Sequence, residues 1–174
     1  MKLDKLLSLA WTIAEVEARA LGSAVIEPEH FLLAALKIVD VDFPAQFDKL
    51  DISSEVWKSM CQDANKVQQY LDVLPDKITT VRRRIRHRLA RNANPPIPDD
   101  QVIHRSRKTR AAFYDAANQL EGEVITLLQL MESMFELGFL DGVSMGSDPM
   151  DTNARMTRIN AAWDKIKKAR GIKN

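Results

Sequence analysis

The sequence predicts an all-α protein, and three observations carry that prediction. Ala, Leu, Met, Lys, Arg and Gln fill long stretches, while the 174 residues hold only 6 Gly and 7 Pro; this usage favours helix. Apolar residues return every three or four positions in segment after segment. No stretch alternates apolar and polar residues long enough to make a strand, so Ala24-Val25-Ile26 and Glu123-Val124-Ile125 read as extended connections only. About seven or eight helices are expected.

The first helix is expected from about Leu3 to Leu21. Leu3, Leu6, Leu7, Ala10, Ile13, Ala14 and Leu21 share its apolar face, with a polar lapse at Glu17. Gly22 stands where a left-handed C-terminal cap is needed. Pro28 fits the first turn of a second helix, where its missing N–H is no loss, and Glu29 complements the positive end of that helix. Phe31 to Leu36 is apolar almost all round, which predicts a buried helix. A short helix is expected from Pro44, carrying Phe47 and Leu50.

Ser53 or Ser54 caps the next helix, striped by Val56, Met60, Ala64, Val67 and Leu71, and Pro75-Asp76 breaks it. Ile78, Val81, Ile85 and Leu89 mark one face of a further helix whose other faces carry arginines. Asn92 to Asp100, with Pro95, Pro96 and Pro98, reads as a linker. Ser106 is the expected N-cap of a helix with Thr109, Ala112, Phe113, Ala116, Ala117 and Leu120 on one face. Thr126-Leu127-Leu128-Gln129 is a capping-box pattern, and Leu127, Leu130, Met131, Met134 and Phe135 continue as a buried helix. Residues 141–150 read as a loop, and 151–174 as a C-terminal helix striped by Met156, Ile159, Trp163 and Ile166.

The net charge of +1 conceals an asymmetry. Residues 1–76 hold 7 Lys/Arg against 13 Asp/Glu, residues 77–110 hold 11 against 2, and residues 111–174 hold 7 against 9. A basic block therefore sits between acidic neighbours. No apolar run approaches the roughly 20 residues that span a bilayer, and the N-terminus lacks a secretory pattern. With the single cysteine Cys61, a disulfide framework is excluded and a cytoplasmic location is expected.

The chain has no Gly-Lys pair, so it holds no Walker A phosphate loop. His30, His87, His104 and Cys61 form no metal-ligand spacing. Gly142-Val143-Ser144-Met145-Gly146 matches the hydrolase elbow in letters, yet no strand is expected before it and no histidine follows His104, so it reads as a chance match in a loop. No catalytic residue, metal or cofactor is expected.

The segment around residues 18–36 returns as a fainter copy ninety-nine residues later. Ala18 falls on Ala117, Leu21 on Leu120, Ile26 on Ile125, Phe31 on Leu130, Leu32 on Met131 and Leu36 on Phe135. The first copy, Ala18-x-x-Leu21-Gly22-x-x-x-Ile26-x-Pro28-Glu29-His30-Phe31-Leu32-Leu33-x-x-Leu36, resembles the Clp N-terminal repeat. Leu50-Asp51-Ile52-Ser53 resembles that family's next step, with Asp51 in place of Gly. The second copy fits through Ser106-Arg107, Phe113, Ala116-Ala117, Leu120 and Val124-Ile125, but Glu121, Leu128 and Gln129 replace its Gly and Glu-His.

The resemblance implies two four-helix repeats related by a pseudo-twofold axis and packed as one domain over residues 1–140. Repeat 1 is expected at about 3–72 and repeat 2 at about 77–140, with the Pro-rich linker at 92–100 inside it. It implies a non-enzymatic protein- or peptide-binding module that recruits substrates or adaptors to a Clp-type AAA+ chaperone or protease, as a domain of it or free-standing. Paired helical repeats leave grooves suited to a peptide or a helix.

In the ClpC branch the Glu of this motif helps bind phosphoarginine, so Glu29, with Pro28 and His30 beside it, is the candidate ligand site; its other reading is a charge that steadies the helix start. Arg82, Arg83, Arg86, Arg105, Arg107 and Lys108 are the candidate partner- or phosphate-binding surface. An alternative function, nucleic-acid binding, would use this basic 82–110 region, although no aromatic residues are interleaved for base stacking. The acidic N-terminal third offers the same arginines an internal partner.

Overall fold

The computed structural model describes residues 2–40, 53–72, 76–90, 94–119 and 124–140. These residues are mostly helical, as expected of an all-α chain. The elements run β1 (Lys2–Leu3), α1 (Lys5–Ala20), β2 (Val25–Ile26), α2 (Pro28–Asp40), α3 (Ser54–Leu71), α4 (Ile78–Ala90), β3 (His104–Arg105), α5 (Arg107–Asn118), β4 (Val124–Ile125) and α6 (Leu127–Glu136). The helix expected from Pro44, the Leu50–Ile52 step, the elbow-like glycine motif and the C-terminal helix lie outside the described residues.

Helix ends follow local chemistry. The Asp4 carboxylate accepts the Leu7 N–H at the start of α1, and Ser53 and Ser106 cap α3 and α5 in the same way. Gly22 has φ 63° at the end of α1. Its N–H donates to the Arg19 carbonyl, and the Ser23 N–H reaches back to Ala18, which closes the helix as a Schellman turn. Gly138 (φ 67°) closes α6 likewise, through bonds to Phe135 and Met134. The capping box at Thr126 and Gln129 forms as the sequence predicts.

Helix α2 is the centre of the core, with ten of its thirteen residues buried. It packs against α1, α3, α4 and α6, while α5 packs mainly on α6. Trp11, Phe31 and Phe113 join α1, α2 and α5 edge to face, with ring centroids 5.5–5.9 Å apart. Tyr70 of α3 meets Phe135 of α6 at 5.7 Å.

Two expectations are corrected. Val25–Ile26 and Val124–Ile125 are not mere connections: each is half of a two-residue parallel pair. Lys2 and Leu3 pair with Val124 and Ile125, and Val25 and Ile26 pair with His104 and Arg105. Two residues cannot display a period of two, so such strands leave no trace in the sequence. The Pro-rich stretch is also more than a linker. The Ile97 N–H donates to the Arg19 carbonyl and the Arg19 guanidinium donates to the Pro98 carbonyl, so residues 94–98 lie as a strap over the end of α1.

Candidate functional site

The Gly22 turn delivers the chain to β2, and Ile26, fully buried, pins the start of α2. A cavity of about 550 Å³ opens there, where the end of α1, the start of α2, α4, the strap and α5 converge. Leu21 and Leu89 give it apolar walls. Glu27 and Glu29 supply negative charge, and Arg88 of α4 and Lys108 of α5 supply positive charge. Asn94 closes one side against Gly22, where a Cβ would collide with the Asn94 carbonyl. Glycine is therefore needed twice at this position, for its φ and for the close approach of the strap.

Of the three candidate ligand residues, only Glu29 lines the cavity. Its carboxylate is largely buried and stands 3.5 Å from the Arg88 guanidinium, a loose pairing that leaves both groups room for another partner. Pro28 is buried as the first residue of α2. His30 has no exposed surface, and its Nδ1 accepts the Glu27 N–H at 2.9 Å. An N–H pointing at Nδ1 fixes the neutral ring with its proton on Nε2, which has no partner among the described residues. Burial pushes the His30 pKa down to about 4, against the pull of the Glu17 carboxylate. His30 is thus a helix-start clamp, buried behind the cavity lining.

The same clamp stands at the start of α6. There Gln129 Oε1 accepts the Thr126 N–H, also at 2.9 Å. Gln129 sits ninety-nine residues beyond His30 and takes over its backbone bond. A smaller cavity of about 280 Å³ borders this helix start, lined by Asp63, Lys66 and Thr126 to Gln129. Leu128 occupies the place that corresponds to Glu29, so the two cavities differ in the charge contributed by the helix start.

The basic block divides. On α4, Arg86 grips the buried Glu17 with two bonds, Nη2 at 2.7 Å and Nε at 3.2 Å. Lys37 of α2 pairs with the same carboxylate. Burial alone would raise the Glu17 pKa, but the bonds from Arg86 and Lys37 outweigh it and hold the group below its ordinary value. Arg82 pairs with Asp40, and Arg84 pairs with Asp76 at 3.0 Å. So the polar lapse at Glu17 is the anchor of a second helix, a role its sequence neighbours do not disclose. Arg82 and Arg86 serve the fold, whereas Arg83 is exposed.

The cations around the start of α5 behave otherwise. Arg105 lies over the Trp11 and Phe113 rings, 4.8 Å from each centroid, and burial lowers its pKa from the usual value. Arg107, Lys108 and Arg110 are exposed. Among the described residues no group of three His, Cys, Asp or Glu could hold a metal ion, and no helix is long and apolar enough to cross a membrane. No family model, no curated protein and no solved structure matches the chain.

Proposed function

We propose that this chain is a non-enzymatic protein- or peptide-binding module of the Clp N-terminal type, which recruits substrates or adaptors to an AAA+ unfoldase. The observation that carries this reading is the cavity at the start of α2. It lies on the segment that bears the family resemblance, and it combines two carboxylates, two cations and leucine walls in an open site. A peptide supplies charges of both signs and apolar side chains at short spacing, which suits such a lining.

The two-repeat architecture belongs to the same proposal, and three observations support it. The strand before α1 pairs with the strand before α6, and the strand before α2 pairs with the strand before α5. Exchanging the two halves turns one pair into the other. The Asp4 N–H donates to the Ile125 carbonyl, and the Ser106 N–H donates to the Ile26 carbonyl, both at 3.0 Å. His30 and Gln129 make the equivalent clamp. With Leu128 in the place of Glu29, ligand recognition is centred on the first repeat.

The test is fluorescence anisotropy of a labelled, permanently unfolded polypeptide titrated with the full chain. Saturable binding that weakens about tenfold in Arg88→Glu, and less in Glu29→Gln, is the expected result. Unchanged affinity in both variants, with their folding intact, refutes the cavity as the binding site.

A further inference from the structure

The outer face of α5 carries exposed cations that make no ion pair among the described residues. Arg107, Arg110, Ala111 and Tyr114 follow one another at helical spacing, and all are exposed. Tyr114 keeps 71% of its surface in solvent, and Val102, just before β3, keeps 72%. Arg105 borders this face, its guanidinium held against the Trp11 and Phe113 rings. No Asp or Glu occurs from Gln101 to Tyr114; Asp99 and Asp100 precede the stretch, and Asp115, which follows it, accepts a bond from Gln119. No ion pair links Arg105, Arg107, Lys108 or Arg110 to a carboxylate among the described residues. The first turn of α5, which already carries the positive end of a helix dipole, holds Arg107 and Lys108 and no acid.

This arrangement opposes local electrostatics, and no ion pair among the described residues offsets it. On α4, by contrast, Arg82, Arg84, Arg86 and Arg88 face carboxylates from elsewhere in the chain, Asp40, Asp76, Glu17 and Glu29. A surface that repels itself is relieved by a partner that brings the missing negative charge. We propose that the outer face of α5 docks an acidic segment of a partner protein, with carboxylates on Arg107 and Arg110 and an apolar side chain on Tyr114. A nucleic acid fits less well. The α4 arginines that would extend the surface into a backbone-tracking stripe are spent on internal carboxylates. One face of Arg105 is occupied by rings of the same chain and is closed to a base.

None of Arg107, Arg110 and Tyr114 lines the cavity at the start of α2, so failure of this face and failure of that site are separately readable. Three probes are titrated against the full chain by anisotropy: a Glu-rich peptide with one central Leu, the same peptide with Ser for Leu, and single-stranded DNA of equal charge. Expected are tighter binding of the Leu peptide than of either other probe, and an affinity loss of about tenfold or more in the double variant Arg107→Glu with Arg110→Glu. Tyr114→Ala weakens the Leu peptide and leaves the Ser peptide unchanged. Arg83→Glu, on the exposed side of α4, leaves all three unchanged. All these positions are exposed, and thermal melts of the variants should match the unaltered chain. The proposal is overturned if DNA binds more tightly than the Leu peptide, if Arg83→Glu costs as much as the double variant, or if no probe binds saturably.

Discussion

Helices α4 and α5 both carry an excess of positive charge in the sequence, yet they join the fold by different forces. Helix α4 buries only Val81 and Ile85, and ion pairs from Arg82 to Asp40 and from Arg86 to Glu17 tie it to α2 and α1. Helix α5 buries Thr109, Ala112, Phe113 and Ala116, seats Phe113 against Trp11 and Phe31, and turns its arginines outward. The lesson is that a run of arginines does not itself describe a binding surface. What decides is whether the apolar stripe on the same helix is enough to hold it; where it is not, the arginines are drawn inward as fasteners.

That contrast can be broken most severely at Phe113. Phe113→Ala removes the ring that anchors α5 and should cost about 3–5 kcal/mol, read as a fall in the urea midpoint that added salt does not change. The next effect concerns pH. His30 stays neutral in the fold down to about 4, whereas an unfolded chain protonates it near 6.5. The unfolded state then binds more protons, so stability is full above 6.5, declines as pH falls from there to about 4, and levels off below. The loss should reach about 3 kcal/mol, and His30→Gln, which copies the clamp of Gln129, should flatten the profile in that window.

Gly22→Ala should cost about 2 kcal/mol or more, because alanine resists the positive φ and its Cβ meets the Asn94 carbonyl. Faster amide exchange at Ile97 would locate the damage in the strap. Glu17→Gln tests the fasteners of α4. It should cost about 1–2 kcal/mol, less than a fully buried pair, because Arg86 and Lys37 are partly solvated. The folded pKa of Glu17 lies below 4.5, so its contribution is complete above 4.5 and disappears as pH falls through the lower folded value. Acid titrations of the parent chain and Glu17→Gln should converge there. The smallest effect is expected from Arg107→Ala and Arg110→Ala, within about 0.5 kcal/mol of the parent in melts, since neither side chain is needed by the fold.

The parts of this structure that the sequence discloses are those fixed within one helical turn. Gly22, Ser106 and the Thr126–Gln129 box are recognisable because a cap needs its residues three or four positions apart. The Glu17–Arg86 pair joins positions 69 residues apart, and its only trace in the sequence is a carboxylate on an apolar stripe. The strap reads as a linker because prolines interrupt regular structure without revealing what their carbonyls meet. At the cavity, Glu29 is legible from the repeat pattern and Lys108 from the basic block, but their meeting with Arg88 and Asn94 is not, since these residues arrive from separate elements.

The two short strand pairs carry a consequence for how the chain is assembled. The partners of Lys2 and Leu3 are Val124 and Ile125, so these backbone groups are satisfied only by a segment far away in the sequence. A chain cut after Gln119 lacks Val124 and Ile125 and so leaves Lys2 and Leu3 without their strand partner. The β1–β4 pair is therefore a contact of long sequence separation, which can close only once both of its segments are present.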